Sequence, residues 1–208
     1  YVCEVYLKLE NMQPIGSFKI RGATYKISKL SKEELDRGVI AASAGNHAQG
    51  VAWGARTLGT KALIVMPRNA ALVKMQNTKS LGAEIVLEGE TYDEAFAHAL
   101  KLAQETNRVF VHAFKDPQVI AGQGTLALEV LDQLPDLDCI IGSIGGGGLM
   151  TGVSTALKAL KPKVQIIGCQ AAGAPSMVES IHKGSAVRSE RVRANCTALM
   201  NGLHHRGG

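Results

Sequence analysis

Aromatic residues are scarce in this sequence, at 4% of 208 residues. Proteins that bind single-stranded nucleic acids stack bases on aromatic side chains, so the scarcity argues against that class. Long hydrophobic runs are also missing. No stretch approaches the roughly 20 apolar residues that a membrane-spanning helix needs, and the first residues have no signal-peptide layout. We therefore expect a cytoplasmic protein.

Paired cysteine motifs are missing as well. The four cysteines are far apart in the sequence and include no Cys-x-x-Cys pair. They are Cys3, Cys139, Cys169 and Cys196. We expect reduced cysteines that pack as small hydrophobic residues, not disulfides or a metal site. The six histidines form no metal-binding motif, so no metal ion is predicted.

The composition that remains is typical of a globular protein. Hydrophobic residues make up 46% of the chain and charged residues 20%, and the length suits one large domain or two small ones. The net charge of +5 is scattered, and only residues 188–193 are locally basic. This pattern favours a solvated surface over a patch that binds nucleic acid or membrane.

The most unusual stretch is the glycine-rich segment 143–152, which contains four consecutive glycines. It follows an apolar strand-like run and precedes a helical pattern, so backbone N–H groups at a helix N-terminus could hold an anion. The Gly-Lys-Ser/Thr end of a P-loop is absent, since Leu149 and Met150 follow the glycines. The dinucleotide pattern G-x-G-x-x-G also fails, and Gln170 stands where its acidic residue would be. A monophosphate fits best; the alternative is a flexible or tightly packed turn without a ligand.

Strand-like and helix-like segments alternate along the chain, which predicts an α/β fold with parallel sheets and helices on both faces. The predicted strands are 5–9, 38–43, 62–66, 84–87, 109–111, 139–144 and 164–168. The predicted helices are 17–30, with Ser17 as its N-cap, 48–58, 70–81, 92–105, 117–134, 149–160 and 176–183. Ligands of such sheets bind at the carboxyl ends of the strands. The loops at Lys19, at Asn46 and at the glycines are therefore expected to share one site.

Four segments resemble the serine/threonine dehydratase family of pyridoxal phosphate enzymes, which has the fold type II architecture. They are Ser17-Phe18-Lys19-Ile20-Arg21-Gly22-Ala23, residues 43–50 (SAGNHAQG), residues 119–125 (VIAGQGT) and the tetraglycine loop. The resemblance covers about residues 4–184 and is greatest to the catabolic threonine dehydratases. It implies pyridoxal 5'-phosphate as the cofactor.

The resemblance also implies a role for each matching residue. Lys19 would form the Schiff base with the cofactor aldehyde and then take the α-proton of the substrate. Phe18 would pack on the pyridine ring, and Asn46 would hydrogen-bond its 3-hydroxyl group. The phosphate would bind to Gly145, Gly146, Gly147, Gly148 and Leu149. The substrate carboxylate would bind to Ser43, Gly45 and His47.

The implied reaction is β-elimination from L-threonine or L-serine to a 2-oxo acid and ammonia. Serine racemases of this family carry a serine where this chain has Ala44, so dehydration is favoured over racemisation. Relatives with a bound divalent cation carry a glutamate in place of Gln170, so that site is not predicted. The expected partners are an amino-acid substrate and further copies of the chain in a homo-oligomer.

The expected domain organisation has two subdomains. Residues 1–30 and 116–184 form an incomplete large cofactor-binding subdomain, and residues 38–115 form a small one. After about residue 184 the resemblance ends, and residues 185–208 are expected to be an atypical tail, from truncation or a frameshift. The alternative function is therefore a truncated, catalytically impaired homologue that at most binds pyridoxal phosphate.

Overall fold

The computed structural model describes residues 3–187 and contains two parallel sheets. The strands of the larger sheet are β1 (Val39–Ala42), β2 (Ala62–Met66), β3 (Glu84–Leu87) and β4 (Val109–Phe110). Their order is β3-β2-β1-β4, and every neighbouring pair is parallel. The central strands β1 and β2 are buried at every position, as their unbroken apolar sequences predict for a sheet covered on both faces.

The smaller sheet pairs β5 (Cys139–Ser143) with β6 (Gln165–Cys169), also in parallel. Helices follow or precede the strands in both halves of the chain. They are α1 (Lys19–Ser28), α2 (Lys32–Arg37), α3 (Asn46–Thr57), α4 (Leu72–Ser80), α5 (Tyr92–Thr106), α6 (Pro117–Gln133), α7 (Gly148–Leu160) and α8 (Ser176–Lys183). The predicted α/β class with parallel sheets is confirmed. No helix within residues 3–187 is long and apolar enough to cross a membrane.

The hydrophobic core has three parts, and the two faces of the larger sheet account for two of them. Val39 and Ala41 of β1 pack toward α1 and α3, while Ile40 and Ala42 pack toward α5, as the period-two geometry of a strand requires. The third part lies between α6, α7 and the smaller sheet and includes the fully buried Leu157. Each sheet therefore has its own layer of packed helices.

Helices α1, α6 and α7 approach one another through glycines. A β-carbon on Gly122 of α6 would lie 2.7 Å from the Cα of Gly22 in α1. On the other side of α6, a β-carbon on Gly124 would lie 2.9 Å from the carbonyl oxygen of Gly152 in α7. Both distances are too short for any side chain, so backbone packs on backbone at these contacts.

The predicted strand at residues 5–9 is wrong. Val5 and Leu7 are 77% and 79% exposed, and the segment pairs with no described strand. Alternation alone does not form a strand, because the backbone groups need a partner strand. The segment is instead held by side-chain contacts such as the 2.7 Å ion pair from Lys8 Nζ to Glu129.

Helices α1, α3, α4 and α7 begin one or two residues from their predicted starts. Phe18, not Ser17, is the N-cap of α1, and Ser17 is buried with no hydrogen-bond partner for its hydroxyl group among the described residues. Helix α2 was not predicted, although Ser31 and Glu34 form a capping box that marks its first turn.

The cysteine prediction holds in part. Cys3, Cys139 and Cys169 are free, but Cys3 and Cys169 are exposed instead of packed in the core. Cys196 and most of the predicted tail lie outside the described residues. The division into two subdomains stays a prediction.

Candidate active site

A cleft of about 520 Å³ lies where the carboxyl ends of β1 and β5 meet the N-termini of α1, α3 and α7. The structure brings all the predicted site residues together in its lining. They are Phe18, Lys19, Ser43, Gly45, Asn46, His47, Gly145, Gly146, Gly147, Gly148 and Leu149. Two of the three loops, at Asn46 and at the glycines, follow strand ends as predicted, whereas Lys19 reaches the cleft from the first turn of α1 with no described strand before it.

Lys19 is the first residue of α1, and its side chain turns into the cleft. Its Nζ donates a hydrogen bond to the carbonyl oxygen of Ala113, at 2.8 Å, and lies 5.4 Å from the centroid of the Phe18 ring. Burial lowers the pKa of Lys19 from 10.5 to about 8. A substantial fraction of this amine is therefore neutral at mildly alkaline pH and able to act as a nucleophile or base.

Arg21 anchors the helix that carries Lys19. Its guanidinium group donates to Glu10, at 2.7 and 2.8 Å, and to Glu129, at 2.6 and 2.8 Å. The arginine side chain is only 7% exposed, and its two carboxylate partners raise its pKa. The cluster ties the first turn of α1 to the short 3-10 helix Glu10–Met12 and to α6.

The loop after β1 places a second helix N-terminus at the cleft. Gly45 is the N-cap of α3 and no side chain caps this helix. The Ser43 hydroxyl group accepts a hydrogen bond from the Gly45 N–H group at 3.2 Å, which tightens the turn. Asn46 follows and is 6% exposed. The first-turn amides and the helix dipole make this position favourable for an anion.

The His47 side chain is buried and already engaged. Its Nε2 lies 2.8 Å from the carbonyl oxygen of Val111, so Nε2 carries the hydrogen and donates it. Burial, and then the charge of Lys19, lower the pKa of His47 to about 3. The ring is therefore neutral, and its Nδ1 carries a lone pair and no hydrogen, so this atom cannot donate a hydrogen bond. Nδ1 is buried and has no partner among the described residues. Any contact from His47 to a carboxylate must come from its backbone N–H group.

The glycine loop forms the opposite wall of the cleft. Gly147 has a φ of +87° and is the N-cap of α7, which also has no side-chain cap. A β-carbon on Gly146 would lie 2.5 Å from Cγ of Phe114, and one on Gly148 would lie 2.9 Å from the Phe114 Cα. The first-turn amides of α7 have no partner within the helix, so they remain available to an anion.

The charge balance of the cleft also favours anions. Among the described residues that line it, there are two lysines, Lys19 and Lys74, and no aspartate or glutamate. The N-termini of three helices add partial positive charge at the same place. A phosphate at the glycine loop and a carboxylate at the α3 turn both fit this arrangement.

The lining also contains residues that were not predicted as site residues, among them Ala113, Phe114 and Lys74. Ala113 contributes only a backbone carbonyl group, which no sequence pattern reveals. Phe114 lies between β4 and the N-cap Asp116 of α6, so its position after a strand end was a usable signal. Lys74 belongs to α4, a helix that was predicted but whose sequence contains no recognised functional motif.

Comparisons with known proteins identify the family. The family model described as "Pyridoxal-phosphate dependent enzyme" matches residues 1–207, which includes most of the predicted tail. The L-threonine ammonia-lyase of Thermotoga maritima is 54% identical over 187 residues, covering 90% of this chain and 47% of the relative. A catabolic L-threonine dehydratase of Staphylococcus aureus is 49% identical over 179 residues, covering 86% of this chain and 52% of the relative.

A solved structure supports the same assignment. The processed form of threonine deaminase isoform 2 from Solanum lycopersicum superposes with a TM-score of 0.90 at 44% identity, covering 94% of this chain and 54% of that one. This chain thus spans about half the length of the relatives it matches. The predicted fold type, family and cofactor class are confirmed at the level of the family. The chain belongs to the pyridoxal-phosphate dependent enzymes, among the relatives of threonine dehydratases.

Proposed function

We propose that this chain is the cofactor-binding part of an ammonia-lyase that eliminates water from L-threonine or L-serine, after which hydrolysis of the released enamine gives a 2-oxo acid and ammonia. The observation that carries the proposal is Lys19, a buried amine with a pKa of about 8 in a cleft that also holds an uncapped glycine loop. The names of the relatives, L-threonine ammonia-lyase and L-threonine dehydratase, support the reaction class.

The cleft residues fit pyridoxal phosphate. Backbone N–H groups of Gly145 to Leu149 would hold its phosphate, because the first-turn amides of α7 have no partner within the helix and no carboxylate among the described lining residues repels the anion. Phe18 would contact the ring, and Asn46 would hydrogen-bond the ring hydroxyl group. When bound, the cofactor supplies the electron sink that stabilises the charge left by removal of the α-proton.

Lys19 would act as the general base. Its neutral amine can accept the proton from the α-carbon of the amino acid, and the carbonyl group of Ala113 then orients the ammonium group by accepting its hydrogen bond. The same burial that lowers the Lys19 pKa keeps bulk water away from the amine. One residue would therefore both anchor the cofactor and move the proton.

The α3 turn would bind the substrate carboxylate. The Ser43 hydroxyl group can donate its own hydrogen, and the backbone N–H group of His47 is a second donor beside the positive end of the helix. Gly45 shapes the turn, because its N–H group is bonded to the Ser43 oxygen. Ala44 offers no hydroxyl group on this loop that could deliver a proton from a second side. This favours elimination over racemisation.

We also infer a cytoplasmic homo-oligomer. Ile141 of β5 is 65% exposed and Ile167 of β6 is 37% exposed, so the smaller sheet presents apolar side chains that a further subunit or further chain could cover. Sedimentation of the purified protein tests the oligomeric state.

The proposal is tested by visible spectroscopy. The chain is mixed with pyridoxal phosphate, and we expect an absorption band that disappears in Lys19→Ala and persists in Lys79→Ala, a matched control on α4 whose side chain does not line the cleft. L-Threonine and L-serine are then added, and 2-oxo acid is measured. A band without 2-oxo acid would favour the catalytically impaired homologue. A band that Lys19→Ala retains would overturn the role of Lys19.

A further inference from the structure

The segment that joins β4 to α6 contacts two walls of the cleft. We call this segment, Val111–Lys115, the connector. Its Ala113 carbonyl group accepts the 2.8 Å hydrogen bond from Lys19, and its Phe114 packs against Gly146 and Gly148 of the glycine loop. The relative position of the amine and the glycine loop therefore depends on the conformation of the connector.

His112 closes the turn within the connector. Its Nδ1 accepts hydrogen bonds from the backbone N–H groups of Phe114, at 3.2 Å, and Lys115, at 3.1 Å. Nδ1 must be unprotonated to accept them, so the ring hydrogen lies on Nε2. The ring is also held edge-on by Phe114, with centroids 4.7 Å apart at 88°, and by Phe96, at 5.6 Å and 72°.

We propose that His112 is a positioning residue for the cofactor site: through its Nδ1 it holds the connector so that Ala113 faces Lys19 and Phe114 supports the glycine loop. This inference rests on the proposed function, since it concerns the same site. His112 itself does not line the cleft among the described residues, so it acts through its neighbours.

The charges around His112 make this arrangement sensitive to acid. Burial, Lys115 and Lys19 lower the pKa of His112, while Asp116 raises it. His47, on α3, also interacts with His112, and α5 contributes the non-titrating Phe96. A proton on Nδ1 would break both hydrogen bonds that this atom accepts, from the Phe114 and Lys115 N–H groups, and would add a positive charge near Lys19. The connector is therefore expected to hold its conformation at neutral pH and to loosen as the pH falls.

A purely structural role for His112 predicts different behaviour. If the ring only filled space between Phe96 and Phe114, an apolar replacement of similar size would preserve the site. If Nδ1 is the essential atom, a residue with an acceptor oxygen near the same place would preserve it. Asparagine provides such an oxygen, forms the same kind of turn through its side chain, and does not titrate.

The test compares His112→Asn and His112→Leu with the wild-type chain. His182→Asn, at an exposed position on α8, is the matched control. The dissociation constant for pyridoxal phosphate is measured by absorbance across a range of pH, and circular dichroism checks folding. We expect His112→Leu to bind about tenfold more weakly at mildly alkaline pH, because two hydrogen bonds are lost. His112→Asn should bind within about twofold of the wild type.

The pH profile provides the second comparison. The wild type should lose affinity toward acidic pH more steeply than His112→Asn, because only the wild type has a proton to gain at this position. Equal profiles for the two proteins, or wild-type affinity in a folded His112→Leu, would overturn the inference. If His112→Leu does not fold, the comparison of the wild type with His112→Asn still decides it.

A readout without the cofactor separates this inference from the proposed function. In the free chain, nitrogen-15 NMR should show Nδ1 of His112 unprotonated at neutral pH, and the amide signals of Phe114 and Lys115 should shift as His112 titrates. The labelling rate of the Lys19 amine by an acylating reagent should change in His112→Leu but not in His182→Asn. Failure of the wild type to bind pyridoxal phosphate would overturn the proposed function alone, whereas an unchanged Lys19 labelling rate would overturn the positioning role.

Discussion

Replacing Lys19 with methionine is expected to stabilise the fold while it removes the amine. Burial lowers the pKa of Lys19 from 10.5 to about 8. Each tenfold change in proton affinity corresponds to about 1.4 kcal/mol, so keeping the charged form in the cleft costs on the order of 3 kcal/mol. Methionine is uncharged and similar in length, but it leaves the Ala113 carbonyl group without the lysine donor, which offsets about 1 to 2 kcal/mol. The expected net gain in the free energy of unfolding is about 1 to 2 kcal/mol at neutral pH.

The pH dependence of that gain identifies its cause. The folded pKa of Lys19, about 8, is lower than the unfolded value of 10.5, so between these pH values the unfolded chain holds more protons than the folded one. The stability of the wild type therefore rises with pH across this window, relative to the variant. The advantage of Lys19→Met should be constant below about pH 8 and should shrink between about pH 8 and pH 10.5.

Urea unfolding, followed by the fluorescence of Trp53, measures both effects. The two chains are compared near pH 7 and near pH 9.5. Lys79→Met is the control, because Lys79 is exposed on α4 and does not line the cleft. The control should match the wild type at both pH values. The reasoning is refuted if Lys19→Met is less stable than the wild type at neutral pH, or if the difference between them is the same at both pH values.

Three further perturbations follow from the site. Gly146→Ala would place a β-carbon 2.5 Å from the Phe114 ring, so we expect the free energy of unfolding, measured with urea, to fall by about 1 to 3 kcal/mol. Adding Phe114→Ala to the same chain should restore part of that loss. An unchanged unfolding midpoint in Gly146→Ala would contradict the contact. Because burial lowers the pKa of His47 to about 3, the wild type should lose stability as the pH falls from about 6.5 toward 3, and His47→Gln should lose less. Urea unfolding at each pH measures both proteins, and parallel curves of stability against pH would contradict the neutral, buried state of His47. Arg21→Met removes the buried guanidinium group from the partly buried Glu10 carboxylate and from Glu129, so it should cost about 1 to 2 kcal/mol in the same assay. A loss below about 0.5 kcal/mol would show that the cluster is only a surface contact.

Much of the fold and the cleft follows from local patterns. The bounds of β2, β3 and α8 match their predicted ranges, because each is a short run with clear flanking turns. The rule that ligands bind at strand ends placed the Asn46 turn and the glycine loop at one site, since they follow β1 and β5. Such inferences succeed where a single residue type and its immediate neighbours determine the geometry.

The remaining features depend on contacts between distant segments. The alternating residues 5–9 have the period of a strand but no partner strand among the described residues, so their sequence could not reveal their conformation. The neutral state of His47 results from the Val111 carbonyl group and from burial, neither of which is visible in the residues around it. The capping box at Ser31 is the exception, because its Ser-x-x-Glu spacing is a local signal that marks the start of α2 in the sequence itself.

The glycine contacts of α6 determine which ligand lengths the cleft can accept. Gly122 packs on α1, the helix of Lys19, at the Gly22 Cα and the Tyr25 β-carbon, and Gly124 packs on the Gly152 backbone of α7, the helix of the glycine loop. None of these atoms moves when a side chain changes its rotamer, so rotamer changes cannot adjust the gap. A molecule that reaches from the Lys19 amine to the loop amides must therefore match a span set by three backbones. A pyridoxal phosphate analogue with one extra methylene group between its ring and its phosphate would keep every charge and hydrogen-bonding group and still be too long.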